Sequence, residues 1–228
     1  MSVYDETVRR REEIRRSRQG LGKFRTGSAV KTVKLMSGAT IIAAALSGCA
    51  LLPGGGPAPL DTYELSAPAS QTQKARNRTQ ILIAEPSALK ALDGENIVIK
   101  PAPGVIQFLK GAQWADRLPK IVQARLAETF QRSGSFAGVG LPGEGLAIDY
   151  QVIAEVRAFE VRVDGGSHAE VELFVRLLND RNGTVRASRI FEASAPVSGS
   201  GNDAYVRALN SAFGQAASDI VKWTDSEI

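Results

Sequence analysis

The sequence predicts an α/β (α+β) domain: a largely antiparallel sheet with two amphipathic helices packed on one face. Three observations support this fold class. Apolar residues alternate with polar ones over 146–193, which is typical of strands with one buried face. Apolar residues recur at helical spacing in two other segments, 118–130 and 205–223. Each amphipathic helix needs a cover for its apolar stripe, and one face of the sheet can supply it for both.

The elements before the long strands are short. Three apolar runs are expected to be strands, the last two each stopped by a proline: DTYEL (61–65), TQILIAE (79–85) and NIVIK (96–100). The first helix is expected to begin near Asp116 and Pro119, because proline is tolerated in a first helical turn. It is expected to end at Ser133 and Gly134, since glycine is favoured just past a helix end.

The long strands form a meander. Apolar residues hold one parity from Leu146 to Val156 and the opposite parity from Phe159 to Val163, which predicts a bulge at Arg157–Ala158. Gly165 and Gly166 then turn the chain into a second alternating strand.

This second strand covers 169–177 and returns through 185–193. Asn182-Gly183 between them is a strong hairpin signal. A last helix is expected to follow Asn202 and to present apolar residues as far as Trp223.

The N-terminal region has the layout of a secretory signal. Lys31 and Lys34 precede an uncharged apolar segment from Leu35 to Leu46. As a helix these 12 residues would measure about 18 Å, too short to span a hydrocarbon core of about 30 Å comfortably. Small residues follow, and LSGC, ending in Gly48 and Cys49, looks like a bacterial lipobox. Cleavage after Gly48 would leave Cys49 as an acylated N-terminus; the alternative is a membrane-anchored or core helix ending in an incidental cysteine.

These observations divide the chain into four parts. Residues 1–29 are expected to be a misassigned start or an extension, with a twin-arginine signal as the weaker alternative. Residues 30–48 form the lipoprotein signal peptide. Residues 49–60 hold the lipidated cysteine and a Pro/Gly-rich flexible tether, and 61–228 form a single periplasmic domain.

The charge of the chain lies mostly in the part expected to be removed. Residues 1–48 contain ten of the 28 Lys and Arg residues and four of the 24 Asp and Glu residues. The remaining 18 basic and 20 acidic residues give residues 49–228 a net charge of −2. The mature chain therefore lacks the basic character of a nucleic-acid-binding protein.

No set of residues in the sequence indicates catalysis. The GxGxxG match at 138–143 is followed by a predicted strand instead of the helix that a dinucleotide site needs, and is interpreted as a loop. His168, the single histidine, has no nucleophile motif or carboxylate pair beside it and is interpreted as a surface residue. Metal binding is unsupported, because histidine and cysteine ligands are scarce. We therefore expect no enzyme activity, no metal and no cofactor other than acyl chains on Cys49.

Two tryptophans border the helices. Trp114 precedes the first helix and Trp223 ends the last. Such residues pack helix ends in a core, or they anchor a partner, since tryptophan is enriched at binding hot spots. Tyr63 and Leu118 join them as candidate residues of a partner interface.

The chain resembles the auxiliary lipoprotein component of ABC-type transport systems, which accompanies MCE-type lipid transporters of Gram-negative bacteria. The resemblance is carried by the lipobox LSGC, DTYELSAP after the tether, WADRLPKIVQARLAETFQRSGSFAGV (114–139) and the later hairpin and closing helix. It covers nearly all of residues 49–228 and contains no catalytic signature.

The resemblance implies a periplasmic domain that is tethered through Cys49 and docked on a membrane-spanning lipid transporter. Its partners would be the MCE-domain, permease and ATPase subunits, and homo-oligomerisation would let it match a ring-shaped partner. Ala50 follows the cysteine in place of the aspartate associated in this family with inner-membrane retention. The expected location is therefore the periplasmic face of the outer membrane. The alternative function is a stand-alone envelope lipoprotein that binds a lipid or another small ligand.

Overall fold

The fold is organised around one long strand that is paired along both of its edges. A computed structural model describes residues 59–68 and 78–228. The strands in chain order are β1 (Asp61–Tyr63), β2 (Gln80–Ile83), β3 (Ser87–Ala88), β4 (Asn96–Ala102), β5 (Val105–Trp114), β6 (Gly138–Gly140), β7 (Tyr150–Arg162), β8 (His168–Asn179) and β9 (Thr184–Pro196). The helices are α1 (Leu118–Ser133) and α2 (Asn202–Glu227).

Strand β7 is the central strand of the sheet. One of its edges pairs antiparallel with β8 along almost its whole length, and β8 pairs in turn with β9. The other edge takes three short strands in series, because β2, β3 and β4 all pair with β7 in parallel. β5 then pairs antiparallel with β4, β1 runs parallel to β5, and β6 runs parallel to β2.

The predicted fold class is confirmed: the structure is an α+β fold whose sheet is mostly antiparallel. The predicted meander corresponds to β7, β8 and β9. The register of β7 against β8 shifts between Val156 and Ala158, where the change of parity predicts a bulge. The bulge lets apolar residues face the same side of the sheet before and after it, so Val156 and Phe159 are both buried.

Both helices pack on one face of the sheet. α1 begins at Leu118 with Pro119 in its first turn and ends at Ser133, with Gly134 as its C-cap. Gly134 has a φ of 65°, a left-handed conformation that favours glycine, and its N–H donates to the carbonyl of Gln131. α2 packs against β8, β9 and α1 and is the longer helix, with 26 residues.

Aromatic side chains fill the space between the helices and the sheet. The ring of Phe159 on β7 lies 5.9 Å from Trp114 in an edge-on arrangement and 6.1 Å from Phe213 of α2. Phe130 of α1 stacks on Phe136 at 5.3 Å. These contacts and the alternating apolar residues of β7 and β8 form one continuous core.

The structure differs from the prediction in its shorter elements. Strand β5 is not predicted from the sequence, and the segment 138–140, predicted as a loop, is the short strand β6. As predicted, the element that follows it is a strand, β7.

The predictions for residues 1–29, for the signal peptide at 30–48 and for Gly48 and Cys49 lie outside the described residues. Within residues 59–68 and 78–228, no helix has both the length and the hydropathy of a membrane span.

Candidate docking and anchoring surfaces

Strand β1 ties the start of the described chain to the rest of the domain. Asp61 pairs with Ala112 and Tyr63 with Trp114 on β5. The Tyr63 hydroxyl donates a hydrogen bond of 2.6 Å to Oδ1 of Asp203 in the first turn of α2. This bond, followed by burial and by the negative charge of Asp203, raises the pKa of Tyr63 to about 12. The N-terminal segment is thus held by both the sheet and a helix.

A second attachment follows within a few residues. The backbone N–H of Ser66 donates to Oδ1 of Asn210 on α2 at 2.7 Å. A guanidinium nitrogen of Arg125 on α1 lies 3.4 Å from the carboxylate of Glu64. A pull on the chain before Asp61 would therefore be passed to α1, α2 and the sheet.

The sheet face opposite the helices, which we call the outer face, carries several ion pairs between neighbouring strands. Lys100 of β4 lies 2.8 Å from Glu160 of β7, whose side chain is only 4% exposed. Arg162 contacts Glu170 at 3.1 Å and Asp164 at 3.3 Å. Hydrogen bonding to these carboxylates raises the pKa of Arg162, and its bond to Asp164 lowers the pKa of Asp164. The charges are held in a fixed pattern that a rigid partner could match.

Aromatic and aliphatic side chains lie between these ion pairs on the outer face. The guanidinium of Arg157 lies 4.4 Å from the ring centroid of Phe174 and also approaches Glu172 at 3.7 Å. Ile190 on β9 is the register partner of Phe174 and is 44% exposed. The outer face therefore combines charged and apolar groups, a composition suited to a non-obligate interface.

Two clefts flank the exposed side of α2. One, of about 550 Å³, lies between the 66–68 segment and the helix; its lining includes Asn210, Gly214 and Ser218. The other, of about 680 Å³, lies between edge strand β9 and the helix; its lining includes Arg189, Glu192, Asp219, Lys222 and Trp223. Polar side chains dominate both linings, unlike those of a site for an acyl chain.

The hairpin of β4 and β5 exposes apolar side chains at its tip. Val105, Ile106 and Phe108 are 42%, 49% and 45% exposed. Among the described residues, β1 covers the far edge of β5 only from Ala112 to Trp114, so the tip half of β5 is an open edge. The prediction from sequence did not identify this patch, although the run KPAPGVIQFLK (100–110) contains its signal, three large apolar residues after a Pro-Gly turn.

The structure places three of the four predicted interface residues in the core. Trp114 and Leu118 are each 1% exposed, and Trp223, at 8%, packs edge-on against Phe191 at 5.4 Å. Their burial favours the core-packing alternative, because a partner could reach these side chains only if the core opened. Tyr63 is half-buried, and its hydroxyl is already engaged with Asp203.

The other candidate groups make local contacts. Nδ1 of His168 lies 2.9 Å from the carbonyl oxygen of Gly166 in the preceding turn. No group of three or more histidine, cysteine or acidic side chains in the described part of the chain is arranged to hold a metal ion.

A family model and a known relative both match most of the chain. The model of a family described as ABC-type transport auxiliary lipoprotein component matches residues 63–221. An uncharacterised protein of Bradyrhizobium diazoefficiens is 35% identical over 185 residues, which cover 78% of this chain and 49% of that protein. The chain thus spans about half the length of the curated relative it matches.

Solved structures share the fold. A crystal structure of a Xanthomonas campestris protein is similar with a TM-score of 0.66 and 28% identity, over 73% of this chain and 95% of that one. A second crystal structure, of an uncharacterised protein, has a TM-score of 0.58 at 16% identity, over 73% of this chain and 99% of that one.

Proposed function

The chain belongs to the family of ABC-type transport auxiliary lipoprotein components, and from this premise we propose that it is a non-enzymatic accessory subunit of an MCE-linked lipid transport system, which it docks at the outer membrane. The observation that carries the proposal is the family match over residues 63–221, which span the described domain from β1 into α2. In this role the chain positions a transporter and leaves energy supply and lipid handling to other subunits.

The anchor in this proposal is Cys49. Acyl chains such as palmitate on this residue would insert into the bilayer, each buried CH₂ contributing about 0.8 kcal/mol. Ala50 at the next position supports an outer-membrane address, on the resemblance given above. The arrangement around β1 supports a mechanical role, because Tyr63 and Ser66 fasten the chain that follows the anchor to α2.

The filled core supports docking over ligand binding. A stand-alone lipid-binding lipoprotein would need an apolar cavity between sheet and helices. In this domain the large side chains of Trp114, Phe130, Phe159 and Phe213 are fully buried in that space. The outer face and the edge strand β9 then remain as the surfaces for MCE-domain and permease subunits, with homo-oligomerisation as a way to match a ring-shaped partner.

The test is a crosslinking affinity purification from membranes of the native host. The bait is the tagged full chain, and Cys49→Ala is the control that keeps the domain and loses the anchor. We expect wild type to recover permease, ATPase and MCE-domain proteins, and the control to recover markedly less of them. An anchored wild type that recovers none of these subunits would overturn the docking role. Recovery of a stoichiometric lipid without any transporter would favour the stand-alone alternative.

A further inference from the structure

The tip of the β4–β5 hairpin lies on the side of the domain from which the N-terminal segment arrives. β1 runs parallel to β5, with Asp61 opposite Ala112. The chain before Asp61 therefore comes from the direction of the earlier residues of β5, where the tip lies. Leu60, the last residue before β1, is itself 51% exposed.

The segment between Cys49 and β1 is long enough to extend past the tip of the hairpin. Val105 is seven residues before Ala112, so the tip projects about 23 Å beyond the start of β1. Twelve peptide units separate Cys49 from Asp61, and they can span at most about 40 Å. A bilayer that holds Cys49 is therefore within reach of the tip.

The composition of the tip suits a lipid surface. Ile106 and Phe108 are two residues apart on a strand and so point to the same side. Lys110 follows the exposed apolar residues, and the run KPAPGVIQFLK (100–110) contains no acidic residue; Lys100, at the other end of the run, is paired with Glu160. Exposed apolar side chains next to a lysine are typical of segments that lie in the headgroup region, where the lysine faces anionic phosphates.

Strand β9, another edge among the described strands, has the opposite character. β9 carries charged side chains at Arg186, Arg189 and Glu192, a common protection of edge strands against unwanted pairing. The tip half of β5 lacks that protection and places apolar groups there. The difference indicates that something other than water covers the tip.

We propose that the tip of the β4–β5 hairpin is a second membrane contact, which places Ile106 and Phe108 in the headgroup region of the bilayer that holds the acylated Cys49. This inference rests on the anchor of the proposed function. The hairpin would fix the orientation of the domain on the membrane, which an acylated tether alone leaves free. The outer face of the sheet would then stand at a set angle to the membrane for its partner.

The test uses the full chain, processed and acylated in a Gram-negative host and reconstituted into vesicles of phosphatidylethanolamine and phosphatidylglycerol. The substitution Ile106→Cys accepts an environment-sensitive NBD label, since acylation blocks the sulfur of the single native cysteine. Val185→Cys is the matched control, because Val185 is also half exposed but lies on β9 about 36 Å away along the sheet, near the β8–β9 turn. The mass of the N-terminal peptide confirms acylation before labelling.

We expect the label at 106 to shift its emission to the blue and to be quenched by lipids spin-labelled near the headgroup, and the label at 185 to do neither. Inserting the exposed half of Phe108 corresponds to about a fivefold change in a partition equilibrium. Phe108→Asn should therefore lower the inserted-to-free ratio about fivefold, and Ile190→Asn, of equal exposure on the outer face, should leave it unchanged.

Two results would overturn the inference and leave the anchor intact. One is equal, water-like emission from both labels on acylated protein. The other is a blue shift that disappears when the protein is diluted in the membrane, because a second copy or another protein would then cover the tip. A peptide without acyl chains would overturn the proposed anchor itself, and the inference with it.

Discussion

Removing the Tyr63 hydroxyl tests whether the N-terminal segment is fastened to the domain as described. In Tyr63→Phe the ring remains between β1 and α2, and only the hydrogen bond to Asp203 is lost. A hydrogen bond to a charged group contributes about 1.5–3 kcal/mol to stability when buried. Tyr63 is half-buried, and solvent screens part of its interaction with Asp203. We therefore expect Tyr63→Phe to lower the free energy of unfolding by about 1 kcal/mol.

The assay is urea unfolding of the mature chain, compared at constant m-value. Asp203→Asn would also weaken the favourable interaction of a carboxylate with the start of α2, worth about 0.5 kcal/mol. A double-mutant cycle therefore separates the Tyr63–Asp203 term from that effect. Tyr205→Phe is the matched control, since the Tyr205 hydroxyl makes no hydrogen bond to other described residues. A coupling energy near zero would refute the fastening of β1 to α2 through this pair.

The same bond has a signature at alkaline pH. Tyr63 has a folded-state pKa of about 12, above its ordinary value of 10.0. A group whose pKa is raised on folding contributes stability that is complete below its unfolded pKa and is lost as the pH rises through the folded value. The stability difference between wild type and Tyr63→Phe should thus be constant up to about pH 10 and fall as the pH rises from there toward about 12. A difference that stayed constant through that range would contradict the assignment.

Three further predictions follow from the fold. Trp114→Ala should lower the free energy of unfolding by about 3–5 kcal/mol, because the Trp114 side chain is in the core. Phe108→Ala should change it by less than about 0.5 kcal/mol, because the Phe108 side chain is on the surface. Equal effects of the two substitutions in urea unfolding would contradict this placement. Asp149 accepts the Gln80 N–H and an Arg181 N–H, which lower its pKa in that order. Its contribution is therefore present above the ordinary aspartate pKa and lost as the pH falls through the lower folded value. Asp149→Asn should cost about 1–2 kcal/mol at pH 7 and progressively less below about pH 4 in urea titrations, whereas a pH-independent cost would argue against the assigned titration. Gly134→Ala should cost about 1–2 kcal/mol, since alanine is strained at a φ of 65°, and an unchanged midpoint would contradict that conformation.

The sequence contains local information that predicts the long elements well. The bulge in β7 could be found because Val156 and Phe159 have the wrong spacing for one face of a regular strand. The end of α1 could be placed because Gly134 suits the left-handed conformation found there. Patterns of two to four residues indicate these features, so they can be predicted without knowledge of the tertiary structure.

Other features depend on packing that no short pattern encodes. The parallel pairing of β2, β3 and β4 with β7 joins segments about 60–70 residues apart. β5 escaped prediction because Ile106 and Phe108 point outward while Leu109 packs against the core, so the strand has no single apolar face. Gly111, with a φ of 73°, also interrupts its alternation.

The candidate surfaces were the hardest to predict. Tryptophan occurs both in cores and at interfaces, so the sequence alone did not decide whether Trp114 and Trp223 are core residues or interface residues. The structure places them in the core. Exposed apolar groups appear instead at Ile106 and Phe108, on the half of β5 that β1 does not pair with.

The most direct test of the account is the state and location of the N-terminus in the native host. Membranes are separated into inner and outer fractions, and the N-terminal peptide is identified by mass spectrometry. The account predicts that the mature chain begins at Cys49, carries acyl chains and sediments with the outer membrane, while Cys49→Ala is released from it. A chain that keeps residues before Cys49 and an unmodified thiol would contradict it.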